Sequence, residues 1–132
     1  MADMLANRYL LDGRASEALR LYRRALARSP QRGELQCRLI LAQLEADRIE
    51  EAAALVLELL ATRGPAALAA LRHGCAGFVR TDLPADGPAL IGLRALLAGD
   101  AERARHYLGR IDPDALPVAA ALARQLETID GT

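Results

Sequence analysis

Apolar residues return along this chain every three or four positions and almost nowhere every second one. Leu5, Tyr9 and Leu10 fall on one helical face, as do Ala18, Leu21, Tyr22, Ala25 and Leu26. Turn-forming residues interrupt the pattern at Asp12-Gly13, Ser29-Pro30, Ala46-Asp47, Gly64-Pro65, Asp82 to Pro88, Gly99-Asp100 and Asp112-Pro113. The stretches between them predict eight helices, near 2–12, 14–28, 32–46, 48–62, 65–80, 87–98, 100–110 and 114–129, and no strand.

The pattern also repeats. "DGRASEAL" at 12–19 and "ADRIEEAA" at 46–53 set Arg14 against Arg48, Glu17 against Glu51 and Ala18 against Ala52, 34 residues apart. Superposing Gly13 on Asp47 also aligns Leu5 with Leu39, Leu21 with Leu55, Tyr22 with Val56 and Ala25 with Leu59. A third copy follows if Gly99 takes the place of Gly13. Ile91 then matches Leu5, Ala104 matches Ala18, Tyr107 matches Leu21, and Asp112-Pro113 closes the unit as Ser29-Pro30 closes the first. The offset from Asp47 to Gly99 is 52, which leaves room for one extra helix, "GPAALAALRHGCAGFVRT". In a repeat of this length small residues let two helices approach, and each pair hides its apolar stripe only by stacking on the next.

In these residues the chain resembles the tetratricopeptide repeat. Leu5, Ala6, Tyr9, Gly13, Ala18, Tyr22, Ala25 and Pro30 stand in order at the family's signature positions. The second unit keeps Leu39, Ala52 and Leu59, with Ile40 where a small residue is usual and Gly64 where a closing Pro is expected. The third matches at Ile91, Gly92, Gly99 and Ala104. The resemblance implies one all-α domain: a right-handed α-solenoid of about three helix-turn-helix units, near 2–30, 33–64 and 86–113. An inserted helix at 65–80 and a capping helix at 114–129 complete it.

The same resemblance implies a concave groove lined by the first helix of each unit. Asp3, Asn7 and Leu10 would face it from the first unit, Glu34, Cys37, Arg38, Leu41 and Leu44 from the second, and Asp86, Ala89, Leu93 and Leu96 from the third. The implied function is a non-catalytic adaptor or chaperone that holds an apolar peptide or helix of a protein partner, similar to tetratricopeptide-repeat chaperones and scaffold subunits of bacterial secretion systems. A clamp for a chaperone-tail carboxylate does not follow. Asn7 matches one clamp position, but Asp3 stands where the first Lys should be and would repel the ligand, and the chain has no Lys. The alternative is a homo-oligomer or assembly scaffold whose groove is filled from within.

Composition narrows the picture. The 52% hydrophobic content is mostly Ala and Leu and the aromatic content is 3%, a helical mixture. Seventeen basic residues, all Arg, balance seventeen acidic ones, which argues against nucleic acid as the partner. Arg20, Arg24 and Arg28, with Arg23 beside them, lie on the second helix of the first unit, and Glu50, Glu51 and Glu58 lie on its counterpart. They predict a solvated face with ion pairs between units, each worth a few tenths of a kcal/mol.

The remaining candidates for chemistry are few. His73 and Cys75 are two apart on a helix and point in different directions, so no metal, cofactor or catalytic residue is expected, and Cys37 and Cys75 read as small buried hydrophobes. Gly74 and Gly77 predict a kink or a close helix contact. In the last segment Asp114 reads as an N-cap and Pro117 as a first-turn residue. Leu116, Ala119, Ala120, Ala123, Leu126 and Ile129 form a wide apolar face, one side sealing the third unit and the remainder available to a homodimer seam. No leader pattern and no apolar run of about 18 residues is visible, so a cytoplasmic location with no membrane contact is expected.

Overall fold

Eight helices form among the residues that the computed structural model describes, 2–80 and 87–130. They are α1 (Ala2–Leu11), α2 (Ala15–Arg28), α3 (Gly33–Glu45), α4 (Ile49–Arg63), α5 (Ala66–Cys75), α6 (Pro88–Leu97), α7 (Ala101–Leu108) and α8 (Pro117–Asp130). No strand occurs among these residues, and the fold is all-α.

The repeat is visible atom by atom in three turns. Gly13, Asp47 and Gly99 each take a left-handed conformation, with φ of +79°, +64° and +91°. The N–H of each donates to the carbonyl three residues back, of Leu10, Leu44 and Leu96, at 3.2, 3.2 and 3.1 Å. The following N–H, of Arg14, Arg48 and Asp100, reaches five residues back to Tyr9, Gln43 and Ala95 at 2.8, 2.8 and 2.9 Å. This pair of bonds satisfies the last carbonyls of one helix and reverses the chain into the next, which is why glycine or aspartate holds the position. Ala18, Ala52 and Ala104 follow at matching places in α2, α4 and α7, each with no exposed surface, and Tyr22, Val56 and Leu108 lie buried one turn further on. Ala6 and Ile40 are buried at corresponding places in α1 and α3, and at the third such place a Cβ on Gly92 would lie 2.7 Å from Leu108 Cγ, so that hairpin closes only over glycine.

Around these hairpins the remaining helices close a single core. α2 packs on α3, α5 packs chiefly on α3, and α6 touches α3, α4 and α5 besides its partner α7; α8 packs on α4 and α7. A buried ion pair ties two of these elements together. Arg94 of α6 places Nε and Nη2 against Glu45 Oε1 and Oε2 at the end of α3, each at 2.7 Å. Arg94 is 7% exposed, so the pair is held largely out of water.

Two helix boundaries depart from the sequence pattern. α5 ends at Cys75 because the chain turns through Gly77 at φ +85°. α8 begins at Pro117, and Asp114 is not its cap: the Asp114 N–H donates to the Asp112 carboxylate inside a preceding turn. The first amides of α8, of Val118 and Ala119, donate instead to the Glu50 carboxylate of α4, at 3.1 and 2.8 Å. Glu50 is therefore spent on α8 rather than on an inter-unit arginine.

Candidate functional site

The groove residues expected from the repeat pattern lie mostly inside the protein. Leu10, Cys37, Ala89 and Leu96 are buried, and Leu41, Leu44 and Leu93 are each 1% exposed, all within one continuous core. Asn7 is half-buried and accepts a hydrogen bond from the Tyr22 hydroxyl. Arg38 donates from Nε to the Gly74 carbonyl at 3.1 Å and lays its guanidinium 4.7 Å from the centre of the Phe78 ring. Glu34 alone among them is exposed, and it pairs with Arg32 at 2.7 Å. The Asp3 side chain and Asp86 lie outside the described residues. The structure thus buries the leucines of α3 and α6 in one core, away from any surface that a ligand touches.

The seam between α3 and α5 explains the two glycines. Gly74 is a close-approach residue: a Cβ there would sit 2.8 Å from Cys37 Cβ. Gly77 is the helix terminator already described. Across the seam the Cys37 thiol donates to the Ala70 carbonyl at 3.4 Å and the Cys75 thiol to the Cys37 carbonyl at 3.3 Å. Both cysteines are free and buried. Burial raises the Cys37 pKa, with Arg63 and Arg38 opposing. Burial also lifts Cys75, from 9.0 to about 12, with Cys37 adding to the rise and Arg38 opposing it. Such thiols stay protonated and are poor nucleophiles. His73 points away into an exposed hollow beside Arg32 and Glu34 and does not converge with Cys75.

Among the described residues no three His, Cys, Asp or Glu side chains are grouped to hold a metal ion, and no helix is long and apolar enough to cross a membrane. The apolar face of α8 is consumed by α4 and α7, leaving Arg124, Gln125, Glu127 and Thr128 outward.

Open hollows flank the helices on more than one side, and one of about 360 Å³ lies beside the groove residue Leu10, among Leu11, Glu45, Phe78 and Arg80. A crevice of about 410 Å³ runs between α2, α3 and α4, floored by Leu26, Leu39, Leu55 and Leu59 and rimmed by Glu58 and Arg63. A smaller hollow of about 190 Å³ lies at the outer edge of the α1–α2 hairpin. In the sequence these leucines read as apolar repeat positions, Leu39, Leu55 and Leu59 aligning with Leu5, Leu21 and Ala25. The nearest signal for an outer surface was the arginine row on α2, of which, among the described residues, only Arg23 meets an acid on the neighbouring unit, Glu51 at 3.5 Å.

A family model described as tetratricopeptide repeat matches residues 9–73, from the second half of α1 into α5. No curated protein and no solved structure matches the chain. Repeats of this family generally mediate protein-protein interactions and are generally non-catalytic. With three superposable turns and a family match spanning the first two of them, the chain is identified over residues 9–73 as a member of the tetratricopeptide repeats.

Proposed function

We propose that this protein is a non-catalytic interaction scaffold whose inner wall is packed by its own α5 and α6 and which meets protein partners through its outer faces. The observation that carries this reading is the burial of Leu41, Leu44 and Leu93, the residues a concave-groove ligand would touch. An empty groove would leave such leucines in water, at roughly 1.5–3 kcal/mol each.

One observation favours a second reading, an adaptor or chaperone that shelters an apolar segment on α3 after the helices covering it part. Gln43 of α3 is 6% exposed and its Oε1 has no hydrogen-bond partner, an acceptor that an incoming peptide amide would satisfy.

Thiol labelling separates the two, because Cys37 and Cys75 report on the α3–α5 seam. In native buffer the scaffold reading expects both thiols to be modified no faster than the whole protein unfolds, with no brightening of a dye that lights up on apolar grooves. Rapid modification of Cys37 while helix content stays intact would establish an opening inner wall and remove the scaffold reading.

A further inference from the structure

The outer edge of the first hairpin carries two features that the core does not account for. Among the described residues the large apolar side chains left exposed are all on α1: Met4 at 70% and Leu5 at 47% near its start, and Leu11 at 44% on the other side, toward Glu45 and Phe78. Beside Leu5, the half-buried Tyr9 and Leu21 floor a hollow whose wall is Arg20 and Arg24 of α2. Arg28 continues that row one turn on. Neighbouring cations are engaged: Arg8 pairs with Asp12, Arg14 pairs with Glu17 and covers the Tyr9 ring, and Arg23 pairs with Glu51. Arg20, Arg24 and Arg28 are exposed and form no ion pair among the described residues.

We infer that this edge docks an acidic amphipathic helix of another protein. Residues four apart on a helix stand one turn apart, about 6 Å, so a row of carboxylates at the same spacing on a second helix meets the three guanidinium groups in register. The same helix lays its apolar stripe into the hollow over Leu5, Tyr9 and Leu21. A second copy of this chain is the poorer occupant, because its helices offer no such row. Glu51 is already paired with Arg23 and Arg48, Glu50 caps α8, and Glu58 stands apart on α4. Nucleic acid is a poorer occupant too, because it offers no apolar stripe for the floor of Tyr9 and Leu21. The inference rests on the scaffold reading and names the partner chemistry of one outer face.

The test uses the full chain and two labelled helical peptides of about 18 residues. Both carry leucines at positions i, i+3, i+4 and i+7; one flanks them with Glu at four-residue spacing, the other with Lys. Fluorescence anisotropy should show the acidic peptide binding, weakening with added salt, and losing affinity by about tenfold or more in Arg20→Glu/Arg24→Glu and in Leu5→Ser. These side chains are exposed, and circular dichroism verifies that the variants fold. Equal binding of both peptides, or binding indifferent to the charge reversal, overturns the inference. So does a preference for anionic vesicles or an oligonucleotide over the acidic peptide, or a dimer in light scattering that the same reversal dissolves. Cys37 labelling in the same samples keeps the two readings apart. No peptide binding with slow labelling ends this inference alone; peptide binding that accelerates Cys37 labelling places the ligand at the inner wall and ends the scaffold reading too.

Discussion

Gly74 and Cys75, adjacent in the chain, divide the work at one contact: the first lets α5 reach α3, and the second seals the gap with a thiol that has no exposed surface. The sequence marked both residues as structural, yet the choice between a kink and a close approach depended on Cys37, 37 residues away, which local pattern does not reveal. The buried thiol makes stability depend on alkali. Cys75 has a folded-state pKa of about 12 against 9.0 when free, so its contribution is complete below pH 9 and declines as pH rises toward 12. In that interval the unfolded chain releases the proton and the folded chain keeps it, which costs about 1.4 kcal/mol per pH unit. Denaturant melts from about pH 8 to 11 should show the wild type losing stability more steeply than Cys75→Ala. Parallel slopes for the two proteins would contradict the assignment. Cys37 shifts in the same direction and leaves a residual slope in the variant.

Among elements, the join between α3 and α6 was the least legible. Periodicity placed both helices within a residue or two, because Leu and Ala at helical spacing fix them locally. Nothing local paired Arg94 with Glu45, since the partner of a buried charge is chosen by packing and lies 49 residues away. Removing either group alone strands the other in a site from which water is largely excluded. Arg94→Met and Glu45→Met should each destabilise by about 3 kcal/mol or more, whereas the double variant should recover much of that loss. Chemical denaturation of the four proteins gives the coupling energy directly. Additive losses would show that the two side chains act independently. The α8 boundary has the same origin: Asp114 had the right chemistry for a cap, but a carboxylate of α4 occupies the position instead.

At the scale of the molecule, the 34-residue stride was readable because every turn needs the same backbone bonds and so calls for the same residues. The state of the inner wall was not readable, since a leucine that faces a ligand and one that faces the chain's own helix look alike in sequence. The closed wall changes how the array should melt. In an open stack each unit touches only its neighbours and terminal units fray first. Here α3 is contacted by α2, α4, α5 and α6, and α8 spans from α4 to α7. Loss of helical circular dichroism and exposure of the two thiols should therefore coincide in one denaturant transition. A plateau in which much helix is gone while Cys75 remains protected would mean that the units melt separately.

The carboxylate of Glu50 has a last consequence, for the order in which the protein is built. α8 opens with a proline and borrows its first acceptor from a residue 68 positions upstream, so its start site exists only after α4 has been laid down and docked. A ribosome delivers those two pieces in the required sequence, and the closing segment locks onto a foundation that is already standing.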